Sequence, residues 1–138
     1  MAALSFAVMF VLMYAMVDRF SNVFVNLNQF YMAGLMAAPM VLIELIVMRA
    51  MFPNKKLNAI IIGMSVLLLA AFWFLIRQQG GIGDAQFLRS MIPHHAGAIL
   101  MCEQLKADDP EIKKLCGEII RSQKSEIEVM KSLLEKSN

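Results

Sequence analysis

The sequence predicts an all-α protein in two parts, three transmembrane helices followed by an extramembrane antiparallel helical hairpin. The 138 residues are 59% apolar and 17% charged, whereas a soluble domain is roughly half apolar and about a quarter charged. Residues 1–76 carry four Lys/Arg and two Asp/Glu, while residues 77–138 carry nine of each. In the second part, apolar residues recur every three or four positions, which is typical of amphipathic helices.

The composition excludes several classes of protein. A net charge of +2 is too small for a basic nucleic-acid-binding protein, so no nucleic-acid partner is expected. Two cysteines do not make a disulfide-dense secreted scaffold, and the high apolar content excludes a long disordered chain. The length also leaves no room for a large catalytic domain.

Three apolar runs are predicted to be transmembrane helices, at about 1–17, 30–49 and 57–76. The clearest is 57–76, twenty residues without a charge, which would form a helix about 30 Å long and match the hydrocarbon core of a bilayer. The first run lacks the positive start and cleavage site of a secretory signal, so it is predicted to be a retained helix. The second contains Pro39, and its small residues would let a neighbouring helix approach closely: Ala33, Gly34, Ala37 and Ala38.

Basic residues predict the orientation of these helices. Three of them lie around the connection between the second and third helices: Arg49, Lys55 and Lys56. The first connection has only Arg19, so the positive-inside rule places residues 50–56 in the cytoplasm. Three crossings then make the N-terminus cytoplasmic and place residues 77–138 in the periplasm of a bacterium, with the chain in the inner membrane.

Glu44 is the one acidic residue inside a predicted span. A carboxylate within a membrane is a functional candidate because burying its charge is costly. The alternative is that Glu44 lies within two turns of the cytoplasmic end, where its carboxylate reaches the interface.

A Gly-rich linker at 77–83 connects the membrane part to the predicted hairpin at 84–138. Its two helices are expected over about 84–106 and 110–136. Asp109 can cap the second helix, and the proline that follows it suits the first helical position because its missing N–H has no partner to lose there.

The two helices are predicted to pack through facing rows of residues. Folding the chain antiparallel at residues 108 and 109 pairs positions whose numbers sum to 217. The pairs near the turn are apolar, but farther out His94 faces Gln123 and Met91 faces Glu126. Buried polar groups need partners, so these side chains either bond one another or hold a ligand. The rows are Phe87, Met91, His94, Ala98, Met101 and Leu105, and Ile112, Cys116, Ile119, Gln123, Glu126 and Met130.

The histidines suggest a metal site in these rows. His94 and His95 point about 100° apart on a helix, so only one of them can face the second helix of the hairpin. Thioethers lie near them, from Met91 and Met101 on the same helix and from Met130 across the hairpin. Imidazole and thioether together suit copper, and thioether favours Cu(I).

Two neighbouring polar residues fit either of two interpretations. Glu126 could ligate Cu(II) or fix a histidine tautomer from behind the metal. The alternative is a satisfied polar core, in which Gln123 and Glu126 hydrogen-bond the histidines and the methionines are ordinary packing.

Cys102 and Cys116 are near neighbours in the predicted register. They could form a disulfide in an oxidising compartment, fill space in the core, or supply thiolates to Cu(I).

The hairpin resembles domain-of-unknown-function family 305. The resemblance is carried by the run FLRSMIPHHAGAILM at 87–101 and by a later run that begins with DPEI at 109–112 and continues through Gln123-x-x-Glu126 to Met130. It covers about 84–135 and implies a ferritin-like helical fold and periplasmic copper binding linked to copper tolerance. The candidate ligands that it implies are Met91, His94, His95, Met101 and Met130.

The chain departs from that family in two ways. Many members have two hairpins in one chain, whereas this chain has one. Because two helices cannot bury both of their apolar flanks, two or more chains are expected to associate, as a homodimer forming a four-helix bundle or a higher homo-oligomer. The cysteines Cys102 and Cys116 also replace the small residues that are more usual in the family.

The sequence therefore predicts a membrane-anchored protein that binds copper or another transition metal, with a copper donor or acceptor protein that the sequence does not identify. The alternative is a structural module without metal, whose hairpins join membrane subunits. A di-iron oxidase would need a Glu-x-x-His pattern on each of two helices, but Val129 follows Glu126 and Lys106 follows Glu103 at that spacing. No enzyme activity is expected.

Overall fold

A computed structural model describes residues 1–48 and 50–137, and within them it contains five α-helices and no strand. The all-α class is confirmed. The chain forms two compact units, one made of residues 1–13 and 27–81 and the other of residues 14–26 with the residues from 82 onward. The helices are α1 (Ala2–Leu12), α2 (Leu27–Val47), α3 (Lys55–Gln78), α4 (Asp84–Gln104) and α5 (Pro110–Lys136), and short 3₁₀ segments lie at Met13–Met16 and Phe20–Asn22.

Two helices, α2 and α3, are long and apolar enough to cross a membrane. Only 6% of the most apolar window of α3 is buried within the protein, so its apolar side chains face outward, as they do in a helix surrounded by lipid. Both helices begin two or three residues earlier than predicted. The predicted end of the second span, Arg49, lies outside the described residues.

The predicted third crossing, at 1–17, is not confirmed. Helix α1 has 11 residues, which gives a length of about 17 Å, well short of a hydrocarbon core of about 30 Å. From Met13 the chain tightens into a 3₁₀ turn, and the Tyr14 hydroxyl donates to the Phe24 carbonyl at 2.9 Å. The apolar composition of a segment does not show where the chain turns.

Close packing of small residues joins the helices of the first unit. The predicted close approach at Ala33, Gly34, Ala37 and Ala38 is confirmed, since all four are buried. A Cβ added at Gly34 would overlap the ring of Phe72 on α3. At the other end of the contact, the Tyr31 hydroxyl donates to the Gly80 carbonyl at 2.8 Å. These contacts hold the start of α2 against the end of α3, so the two helices are antiparallel.

Helices α4 and α5 form the predicted hairpin. The Asp109 carboxylate accepts a hydrogen bond from the Glu111 amide at 2.7 Å, and Pro110 occupies the first turn, so the predicted cap is confirmed. Helix α4 begins after Gly83 and ends two residues before the predicted 106. The last residue of the predicted hairpin, Asn138, lies outside the described residues. The core of the hairpin consists of Leu88, Ile92, Ala96, Ile99, Ile127, Met130 and Leu134.

Residues 14–26, here called the strap, pack against the hairpin. Val17 and Phe24 lie against its core, and a Cβ at Gly97 would be only 3.5 Å from the Met16 carbonyl oxygen. The predicted division at 1–76, 77–83 and 84–138 assigned this segment to the membrane part, whereas the structure places it in the second unit.

Polar side chains fasten the strap to both hairpin helices. The buried Asn22 donates to the Asp18 carboxylate at 2.7 Å and accepts from the Lys131 ammonium of α5 at 2.6 Å. Asn26 donates to the Arg89 carbonyl of α4 at 3.4 Å. Pro93 has no N–H to offer that carbonyl, so the strap supplies a donor that the helix lacks.

The packed row of α4 is one residue away from the predicted row. The buried positions of α4 are Leu88, Ile92, Pro93, His95, Ala96, Gly97 and Ile99. The predicted row started instead at Phe87, and four of its six members are exposed: Phe87, His94, Met101 and Leu105. The physical reason is that α4 has two partners, α5 and the strap. Because α4 packs against both, its buried face differs from the face that packing against α5 alone would bury.

Candidate metal centre

His95 is the buried histidine of the hairpin, with 8% of its surface exposed. Its Nδ1 lies 3.0 Å from the Met91 carbonyl oxygen one turn earlier, and its Nε2 lies 2.7 Å from Oε2 of Glu126 on α5. The predicted pairing of His94 with Gln123 is therefore replaced by a pairing of His95 with Glu126, one residue farther along α4 and three residues farther along α5.

Two hydrogen bonds keep the Glu126 carboxylate charged. The Ser122 hydroxyl, one turn earlier on α5, donates to Oε1 at 2.5 Å. This bond and then the bond from His95 lower the pKa of Glu126. Both ring nitrogens of His95 lie beside oxygen atoms, those of the Met91 carbonyl and the Glu126 carboxylate.

Two thioethers lie in or against the hairpin core. Met130 of α5 belongs to the buried core, and Met91 of α4 packs against the same core. The side chain of Glu126 is 49% exposed. Of the predicted site residues, the structure brings His95 and Glu126 into direct contact, and Met91 reaches His95 through its backbone carbonyl.

The other predicted ligands lie apart from this cluster within one chain. His94 is exposed, with its ring centroid 6.3 Å from that of His95. Met101 is 56% exposed, and Gln123 is partly buried. Among residues 1–48 and 50–137, no three side chains of His, Cys, Asp or Glu are grouped as a metal site.

The cysteines lie on facing helices as free thiols. Both Cys102 and Cys116 are partly buried, and a hydrogen bond joins the two side chains. This bond, more than burial, raises the pKa of the Cys102 thiol to about 11. They are one position from the predicted pairing of 101 with 116, which agrees with the shift of α4.

Sequence reasoning missed two groups that orient the site. Ser122 lies four residues before Glu126, and this spacing on one helix face was a readable signal for the hydrogen bond. The Met91 carbonyl was not readable, because its contact depends on which histidine turns inward. The contacts of the strap with α4 determine which histidine turns inward.

Comparisons with known proteins identify the family of the hairpin. Residues 77–138 match the family described as Domain of unknown function (DUF305). An uncharacterized protein of Acanthamoeba polyphaga mimivirus is 35% identical over 120 residues, covering 86% of this chain and 77% of the viral protein. That stretch is about twice as long as 77–138, so the similarity extends well into the apolar part. No solved structure matches. The chain belongs to the DUF305 family.

Proposed function

We propose that this protein is a membrane-anchored metal-binding protein that holds copper at a Met/His site in its hairpin, without chemistry on a substrate. The observation that carries the proposal is the buried His95, fixed through Nδ1 by a backbone carbonyl and presenting Nε2 to Glu126. Metal-binding histidines are commonly held in this way, because a hydrogen bond at one nitrogen directs the other toward the metal.

The surrounding atoms favour copper over harder ions. Met91 and Met130 supply thioethers, which bind Cu(I) more readily than Mg²⁺ or Ca²⁺. Glu126 can either share the metal with Nε2 or remain the hydrogen-bond acceptor of the histidine. Because Met130 lies in an apolar core and Met91 packs against it, we expect Cu(I) to be the preferred form of the metal.

A second copy of the chain would complete the ligand set. The row of α4 that was predicted to face α5 is mostly exposed in a single chain, and it contains His94 and Met101. We propose that two hairpins pack through this row as a four-helix bundle. Imidazole and thioether groups from each copy then lie on the shared face.

The alternative function is a structural module whose hairpins join membrane subunits without metal. The exposed apolar side chains of the hairpin favour it, because soluble surfaces rarely leave so many large apolar groups uncovered. These side chains are Phe87, Met101, Leu105, Ile112, Leu115, Val129 and Leu133.

The hairpin is proposed to lie on the non-cytoplasmic side, which is the periplasm if the membrane is a bacterial inner membrane. Lys55 and Lys56 at the start of α3 favour a cytoplasmic α2–α3 connection by the positive-inside rule. Crossing by α2 and α3 then puts the strap and the hairpin on the opposite side. A third crossing by the first apolar run would move only the N-terminus, and an accessible N-terminal tag distinguishes the two arrangements.

Competition for Cu(I) against a colorimetric chelator tests the proposed function, with the full-length protein in detergent. Replacing both histidines, His94→Ala with His95→Ala, is expected to weaken binding at least about tenfold. Met64→Leu, a methionine on the outer face of α3, is the matched control and should leave the affinity unchanged. An unchanged affinity in the double variant overturns the metal site. Melting that is identical with and without copper would instead support the structural module.

A further inference from the structure

A charged cleft lies between the strap and the hairpin, and its lining contains none of the proposed metal ligands. Its volume is about 210 Å³, which leaves room for a group much larger than a water molecule, whose share of liquid volume is about 30 Å³. Cations outnumber carboxylates in its lining. The cations are Arg19, Lys124 and Lys131, and the carboxylates are Asp18 and Glu128.

Two of these cations keep hydrogen-bond donors for a ligand. The partly buried Lys131 ammonium donates to the Asn22 side chain at 2.6 Å, and in the described part of the chain no carboxylate forms an ion pair with it. The Arg19 Nε lies 3.9 Å from the Asp18 carboxylate, which is too far for a hydrogen bond. An ammonium has three donors and a guanidinium has five, so both side chains can bind an oxygen-rich anion.

The remaining charges of the cleft do not oppose such an anion strongly. The Asp18 side chain is 5% exposed and accepts a hydrogen bond from Asn22 at 2.7 Å. Glu128 is exposed, so water weakens the repulsion from its charge. Lys124 is paired with Glu103 at 2.9 Å. The donors of Arg19 and Lys131 therefore favour a phosphate group, which guanidinium and ammonium groups bind through charge-assisted hydrogen bonds.

The strap also carries outward-facing apolar side chains beside these donors. Phe20, the neighbour of Arg19, is 91% exposed, and Val25 is 66% exposed. The strap continues directly into α2, one of the two helices long and apolar enough to cross a membrane. Exposed aromatic side chains beside basic residues are typical of segments that lie at a membrane surface. This setting favours a phosphate that belongs to a lipid.

We propose that this cleft binds the phosphate group of a phospholipid, with Arg19 and Lys131 as donors and Phe20 against the acyl chains. The strap then provides the hairpin with an attachment to the membrane surface in addition to the apolar helices. The proposal rests on the membrane anchoring in the proposed function and is independent of copper.

Lipid titration of the metal-free, full-length protein in a neutral detergent tests the proposal, with binding measured by native mass spectrometry. The probes are dihexanoyl phosphatidylglycerol and inorganic phosphate, used separately. Arg19→Gln and Lys131→Gln are each expected to weaken lipid binding at least about fivefold. Lys113→Gln changes an exposed lysine of α5 outside the cleft and should bind lipid as the wild type does. The difference from this control separates the cleft from lipid bound along α2 and α3.

Phe20→Ser distinguishes the two sources of phosphate, since it should weaken lipid binding and leave the binding of inorganic phosphate unchanged. Inorganic phosphate that binds as tightly as the lipid, with no effect of Phe20→Ser, overturns the assignment to a lipid.

A lipid affinity of Arg19→Gln equal to that of Lys113→Gln overturns the site. The Arg19 side chain is 70% exposed, so this variant decides the matter even where Lys131→Gln loosens the strap. Release of the wild-type protein from membranes by alkaline carbonate would instead contradict the membrane anchoring. Loss of copper binding in the histidine variants leaves the lipid result unchanged.

Discussion

At the scale of single residues, the hairpin contains two separate pairs of interacting side chains, a histidine with a glutamate and a cysteine with a cysteine. The buried His95 is paired with the partly exposed Glu126. The Met91 carbonyl lies beside the other ring nitrogen of His95, and Ser122 donates to the other carboxylate oxygen of Glu126. Cys102 and Cys116 form a neutral pair nearer the turn. The first arrangement presents an imidazole nitrogen beside a carboxylate, and the second raises the pKa of the Cys102 thiol.

The thiol pair makes stability depend on pH at the alkaline end. Folding raises the pKa of Cys102 from 9.0 to about 11, mainly through its hydrogen bond to Cys116. A thiol whose pKa is raised by folding contributes stability that is complete below the unfolded pKa and is lost as the pH rises through the folded value. The reduced, metal-free protein should therefore lose stability between about pH 9 and pH 11.

Thiolate absorbance and melting temperature, each followed from pH 8 to pH 11.5, check this expectation. Replacing the partner, Cys116→Ser, leaves a single thiol and should move the Cys102 titration toward lower pH. Two wild-type thiols that both titrate near pH 9 would show that the pair is not bonded.

At the scale of elements, the sequence predicted the bounds of the helices more accurately than the side of each helix that is buried. Helix α5 has its predicted bounds because Asp109 and Pro110 are local signals that act within one turn. The row of α4 was wrong by one residue because Val17, Phe24 and Asn26 of the strap pack on it. No local pattern in α4 records a partner more than sixty residues away, so the choice between His94 and His95 could not be made from sequence.

The row that is buried can be tested by cavity formation in α4. Ile92 is fully buried in the hairpin core, so Ile92→Ala is expected to lower the free energy of unfolding by about 2–5 kcal/mol. The control Val129→Ala removes methyl groups from an exposed position of α5 and should cost less than about 0.5 kcal/mol. Urea unfolding followed by circular dichroism measures both. Equal losses in the two variants would contradict the observed packing.

The attachment of the strap can be tested at Asn22. Asn22→Ala leaves the Asp18 carboxylate, which is 5% exposed, without its 2.7 Å donor, and removes the acceptor of Lys131. The expected loss is about 1–3 kcal/mol, and the strap should be cut sooner in limited proteolysis. Ser21→Ala, at the exposed neighbouring position, is the control. A rate of cleavage that does not change in Asn22→Ala would show that the strap is held by other contacts.

At the scale of the whole molecule, one chain leaves a row of apolar side chains uncovered on α4. We expect a second copy to cover that row, so that wild-type protein is a dimer by native mass measurement in detergent. Leu105→Glu places a charge on the uncovered row and should weaken association at least tenfold, because burying an unpaired carboxylate is costly. Gln104→Glu adds the same charge at an adjacent exposed position and should remain dimeric. A wild-type monomer, or a Leu105→Glu dimer of full strength, would exclude this interface.

The central claim is that copper binds the hairpin through imidazole and thioether groups. X-ray absorption of the Cu(I)-loaded full-length protein tests it most directly, using the variant Cys102→Ser with Cys116→Ser, in which sulfur can come only from methionine. The account predicts a coordination shell with both imidazole nitrogen and sulfur, and loss of the imidazole contribution after His95→Ala. A shell without sulfur, or one that His95→Ala does not change, would contradict it.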